Sequence, residues 1–241
     1  VGSTFTKSLA IGYNKPFVPI NHLEGHIMST SYNNLINYPN LILLVTGGHT
    51  QIYLMKNSKE IKLLGESVDD AIGEAFDKTA KLLGFDYPGG VEIEKMAING
   101  NENRYEIPKP LFYEKNFNFS FSGIKTHINL LVKNNNLDEK SIKDLCASFQ
   151  KTMTEIIIKK LVIGIDLLNE QGIKVKSISC VGGVANNNYL KDKIEKKFYE
   201  KNIDIYYPIK EMMSDNAAMI AWACNKNFNI DKIDFLFKPD P

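Results

Sequence analysis

Two imidazoles four residues apart, in the run His22-Leu23-Glu24-Gly25-His26, form the pair in this 241-residue chain whose spacing most directly suggests chemistry. On a helix they share one face about one turn apart, close enough for both rings to bind a single metal ion. Half of the chain's four histidines lie in these five residues, which favours a ligand pair over two capping or surface rings. Glu24 follows His22 by two residues and so projects about 200° away from it around a helix, unlike the glutamate of an HExxH peptidase site. Two histidines need a further oxygen ligand. Asp215 in Ser214-Asp215-Asn216 can supply it, and can equally be a cap at the head of the last helix.

A second kind of chemistry is suggested by glycine turns. Thr46-Gly47-Gly48-His49-Thr50 separates two β-prone runs and offers amides and hydroxyls to an anion, although a plain hairpin turn has the same composition. Tyr87-Pro88-Gly89-Gly90 has the same character, as does Gly182-Gly183-Val184, which follows a strand and opens a helix as a nucleotide-facing loop does. Three such loops in one chain predict a shared phosphate or nucleotide cleft. Asp77 lies inside a helix beside Asp70, Gly73 and Lys81 on the wheel, where a solvated carboxylate paired with Lys81 explains it as well as a ligand contact does.

The elements that position these residues follow from periodicity. Residues 4–11 read as a short helix, 16–20 as an extended segment held by its prolines, and a second helix begins at Asn21 or His22. Residues 41–45 and 51–55 form a hairpin about the glycine turn, with 62–65 a third strand. Ile72, Ala75, Phe76, Thr79, Ala80 and Leu83 recur at three and four, predicting a helix over 69–83 with Ser67 as cap and Gly84 as stop. A further helix follows Gly90, residues 99–118 are loop, and two or three helices fill 122–170. A strand at 177–181, a helix at 187–201, a strand at 203–207 and a helix at 214–224 close the chain.

Composition bounds the function. Twenty-nine basic against twenty-eight acidic side chains leave a formal charge of +1, so no global field recruits nucleic acid and an RNA partner must meet a local patch. Arg104 is the single arginine, which leaves positive charge to lysine, with Lys78, Lys81 and Lys125 as candidates. Cys146, Cys180 and Cys224 are odd in number and far apart, suggesting neither a disulfide framework nor a thiolate zinc site, and a reducing, cytoplasmic setting is expected. Apolar runs fall well short of the roughly 20 residues a membrane span requires.

Taken in order, the histidine run, Val45-Thr46-Gly47-Gly48-His49-Thr50, Gly73-Glu74-Ala75-Phe76-Asp77-Lys78, Tyr87-Pro88-Gly89-Gly90, Phe119-Ser120-Phe121-Ser122-Gly123-Ile124-Lys125, Gly182-Gly183-Val184 and Ser214-Asp215-Asn216 closely resemble the successive motifs of the TsaD/Kae/OSGEP family. The resemblance implies an α/β fold of the actin-like, sugar-kinase/Hsp70 (ASKHA) type with two lobes. It implies transfer of a threonylcarbamoyl group from threonylcarbamoyl-adenylate to N6 of adenosine 37 in tRNAs that read codons beginning with A. Residue by residue it implies His22, His26 and Asp215 as ligands of one divalent metal ion, iron or zinc, and Val45, Thr46, Gly47, Gly48, His49, Asp77, Gly90, Glu94 and Asn187 as the lining of the adenylate site. Its partners would be tRNA, a smaller paralogue of the same fold and a P-loop ATPase. Family members begin with a segment carrying an ETSCDET-like motif that has no counterpart here, so the first lobe is expected to be incomplete. On that expectation residues 1–38 and 213–241 are its remnant and 39–212 the second, nucleotide-facing lobe. A non-catalytic scaffold subunit and, with less support, a metal-dependent peptidase are the other classes.

Overall fold

β1 (Asn40–Val45) is buried at every position, which requires that both faces of its sheet be covered. In this computed structural model, which describes residues 2–135 and 137–227, β1 is the central strand of five in the order β3-β2-β1-β4-β5. β2 (Thr50–Asn57) and β3 (Glu60–Glu66) continue from it as an antiparallel meander. β4 (Ser177–Val181) and β5 (Asp204–Tyr206) join its other side in parallel, with Asn40 opposite Ser177 and Leu44 opposite Val181.

The two-residue period of β1 divides its side chains between two cores. Leu41, Leu43 and Val45 meet Phe76, Ile93, Phe149 and Ile156 on one face; Ile42 and Leu44 meet Ile27, Met28 and Ala223 on the other. The first face is covered by α3 (Ile72–Leu82), α4 (Gly89–Ala97), α5 (Ser122–Asn134), the long α6 (Glu139–Glu170) and α7 (Asn188–Tyr199). The second is covered by α2 (His22–Ser29) and α8 (Ala217–Asn227), which pack against each other. The helices expected of a first-lobe remnant, α2 and α8, thus lie on the sheet of residues 39–212. α1 (Gly2–Gly12) buries none of its residues and exposes Phe5 and Ile11.

α3 begins at Ile72, three residues after its expected start, and Ser67 is not its cap. The Ser67 hydroxyl donates to the Asp70 carbonyl at 2.6 Å, while Asp69 turns to the start of α5. There one Asp69 oxygen accepts from the amides of Phe121 (2.8 Å) and Ser122 (3.3 Å), and the other from the hydroxyls of Ser120 (2.5 Å) and Ser122 (2.8 Å). The loop between α4 and α5 is pinned from α6 by buried Lys160, whose Nζ donates to the Glu114 carbonyl at 3.0 Å and the Asn116 side chain at 3.0 Å. Burial holds that ammonium below the ordinary lysine value, with Glu114 opposing.

Candidate metal centre and adjoining cleft

The amino end of α2 is fixed by Asn21, whose side-chain oxygen accepts from the amides of Leu23 (2.8 Å) and Glu24 (3.3 Å), so His22 is the first helical residue and His26 stands one turn on. His26 is buried and His22 about half exposed. Their rings stand 5.0 Å apart at 88° to one another. Across from them Asp215 precedes α8, and the cap is its neighbour Asn216, whose side-chain oxygen accepts from Met219 N at 2.8 Å. Asp215 is therefore spared for the histidines. One of its oxygens lies 3.0 Å from His26 Nε2 and 3.3 Å from His22 Nε2, and the three ligating atoms all fall within 4.8 Å of one another.

Ligand atoms about 2.1 Å from a tetrahedral or octahedral ion stand about 3.0–3.4 Å apart, so both separations suit a shared cation. Burial pushes His26 below its ordinary value of 6.5; the hydrogen bond to Asp215 opposes this, and neighbouring His22 adds to the lowering. A neutral ring keeps the lone pair that a metal requires. The donor set of two imidazoles and one carboxylate fits a divalent transition ion, iron or zinc.

Beside this centre lies a cavity of about 500 Å³. Gly47, Asp77, Gly90, Glu94 and Asn187 line it, and so do Met213 and Ser214, the two residues that run directly into Asp215. All three glycine turns reach it. The turn after β1 contributes less than its composition suggests, because the Thr46 hydroxyl takes the amides of His49 (3.0 Å) and Gly48 (3.3 Å) for itself. Of its residues Gly47 faces the cavity, whereas Val45 is buried in the sheet and Gly48 and His49 border a separate hollow of about 60 Å³ with Asp69.

The walls of the cavity are set by short contacts. A methyl group on Gly73 would meet the Thr46 carbonyl at 2.5 Å, so α3 lies directly against the turn. Gly182 has φ +94°, and a methyl group there would lie 2.4 Å from the Val45 carbonyl, so the turn after β4 needs glycine for both its backbone and its space. Asp77 accepts the Gly89 amide at 2.9 Å, holding the first turn of α4 in place of pairing with Lys81. Glu94 accepts from the backbone (2.7 Å) and side-chain (3.0 Å) nitrogens of Asn188 and thereby ties α4 to α7. Asn187 caps α7 through Leu190 N at 2.9 Å.

Residues 1–222 match the TsaD family, described as tRNA N6-adenosine threonylcarbamoyltransferase. The chain belongs to the TsaD family. Proteins of that description from Thermosipho africanus (strain TCF52B) and Pelagibacter ubique (strain HTCC1062) are similar to it, the first 44% identical over 228 residues and the second 41% identical over 240. These alignments cover 92% and 99% of this chain and 66% and 67% of the relatives, so the chain spans about two thirds of their length. Among solved structures, full-length HypF in its phosphate- and nucleotide-bound form is similar at a TM-score of 0.62 and 16% identity, over 87% of this chain and 42% of that one. That likeness carries the fold, which is α/β and actin-like. No helix among the described residues is long and apolar enough to cross a membrane.

The motifs read from the sequence omit two residues that bear on the cleft. Lys210 lines it, and Gln150, buried in α6, bonds Asn187, which also lines it. Lys210 stands four residues before Ser214 in sequence, a proximity that flags it, whereas Gln150 lies 37 residues from its partner, in another element. Of the lysines expected to face RNA, Lys78 is engaged by Glu74 at 2.6 Å and Asp70 at 2.9 Å.

Proposed function

We propose that this chain transfers the threonylcarbamoyl group of threonylcarbamoyl-adenylate to N6 of adenosine 37 in tRNAs reading codons that begin with A. The observation that carries the reading is that Met213 and Ser214, which line the cleft, run in the chain directly into Asp215 of the histidine site. A ligand in the cavity would then end beside the metal centre. In the reaction the N6 nitrogen attacks the carbamoyl carbon, a C–N bond forms, the bond from that carbon to the phosphate oxygen breaks, adenylate departs, and N6 loses a proton. The mixed anhydride already carries a good leaving group, so the protein has mainly to bring the two reactants together and to meet the charge that develops.

In this reading Gly47 and Gly90 offer backbone to the phosphate end of the adenylate, Lys210 supplies the cavity's positive charge, and Asp77, Glu94 and Asn187 fix its polar groups. Val45, Thr46, Gly48 and His49 act by shaping the turn. His22, His26 and Asp215 would hold the ion, iron(II) or zinc, which when bound supplies Lewis acidity toward the threonyl carboxylate and the carbamoyl oxygen. The partners would be tRNA, the smaller ASKHA paralogue and the P-loop ATPase, in the cytoplasm. Incubation of the chain with those proteins, threonylcarbamoyl-adenylate and tRNA, followed by nucleoside mass spectrometry, tests the assignment. Threonylcarbamoyladenosine is the expected product, and its absence from a reaction in which all components are folded would oppose the reading.

A further inference from the structure

Gln150 is a polar side chain, 4% exposed, in the middle of a helix whose neighbours Phe149 and Met153 belong to the core. A buried amide costs stability unless its hydrogen bonds are made, so its position calls for a partner. That partner is Asn187, whose Nδ2 donates to Gln150 Oε1 at 2.9 Å. The other end of the Asn187 amide is committed as well, because its oxygen accepts from Leu190 N to cap α7. These two bonds remove the freedom of the amide to turn over. The cap demands oxygen on one side, and nitrogen must then face Gln150.

We infer that Gln150 is a positioning residue for the cleft: it orients the Asn187 amide so that its remaining N–H, a hydrogen-bond donor, is presented to an acceptor oxygen of a nucleotide. Glu94 completes the arrangement by fixing Asn188, the first residue of α7, through two bonds to one carboxylate oxygen. α4, α6 and α7 thus converge on two consecutive asparagines, and Asn187 lines the cavity. The inference rests on the reading of that cavity as the adenylate site, and deepens it by giving the polarity of one contact.

The test uses adenosine 5′-monophosphate as probe, with calorimetric binding to the 241-residue chain and the side-chain amide resonances of nitrogen-15-labelled protein. Gln150→Met removes the acceptor at similar volume; it is expected to weaken the nucleotide about tenfold and to shift the Asn187 amide resonance, in line with loss of one oriented hydrogen bond. Gln150→Glu keeps an acceptor oxygen and is expected to hold affinity within about threefold of the parent. Asn187→Asp retains the cap but removes the donor, so it should lose nucleotide binding while the protein still unfolds in one cooperative transition. Parent and Gln150→Met proteins of equal affinity with an unmoved Asn187 resonance would overturn the positioning role. A parent protein that does not bind the nucleotide at all would instead overturn the reading of the cavity on which the inference rests.

Discussion

Asp215 shows how one side chain is released for function by its neighbour. In sequence Ser214-Asp215-Asn216 reads as a cap with three candidate oxygens, and the choice among them is made by the backbone at the head of α8, where Asn216 takes Met219 N. The carboxylate left over meets two imidazoles at separations suited to one ion. Metal analysis of the purified chain should give about one equivalent of a divalent transition ion, and Asp215→Ala or a His22→Ala, His26→Ala pair should lower it severalfold. Unchanged loading in the double variant would contradict the assignment. Acid sensitivity gives a second check at this scale. The unfolded chain protonates His26 at about its ordinary value of 6.5, whereas burial lowers that value in the fold, so the unfolded state binds the proton more readily. The metal-free protein should therefore lose stability as pH falls through 6.5 toward the lower folded value, and be insensitive to this group above it. Urea titrations at pH 7.5 and 5.5 should show that difference in the parent and less of it in His26→Gln; an equal difference in both would assign the effect elsewhere.

Among the elements, the hairpin of β1 and β2 and the helices α3 and α7 follow from local period, and the structure has them near their expected bounds; the two or three helices expected over 122–170 are α5 and α6. Their arrangement does not follow from local period. The parallel pairing of Asn40 with Ser177 joins residues far apart in the chain, and nothing local specifies which strand covers that side of β1. The histidine pair and the glycine turns could be read because each is a compact motif, and Lys210 is flagged by its closeness to Ser214, whereas Gln150 could not be read, because its partner comes from another element. The later start of α3 has the same origin: Asp69 is drawn from its own helix to four donors at the start of α5, 51 to 53 residues on. Gly182 is where an element-scale change should tell most. Gly182→Ala places a side chain at positive φ and against the Val45 carbonyl, and is expected to cost about 1–3 kcal/mol of stability from backbone strain. It should also weaken nucleotide binding by moving Gly183 and Asn187 together. A denaturant midpoint equal to the parent's would show that the turn tolerates the residue.

At the scale of the whole molecule, one sheet carries the two features that the chemistry requires on adjoining ground. The α2 and α8 layer brings the histidines to Asp215, and on the opposite layer α3 and α4, with Asn187 at the cap of α7, build the walls of the cleft; the ends of β1 and β4 lie between them. The near-neutral charge of the chain supplies no long-range field, so the proposed function leaves recruitment of tRNA to local lysines and to the proposed companion proteins. Transfer itself is the claim on which the rest depends. Its most direct test is mass spectrometry of nucleosides from tRNA treated with this chain, its proposed companion proteins and threonylcarbamoyl-adenylate labelled in the threonyl carbons. The account predicts label on adenosine 37 with the parent chain and its loss with Asp215→Ala. Labelled product formed equally well by the Asp215→Ala protein, or none formed by a folded and metal-loaded parent, would contradict it.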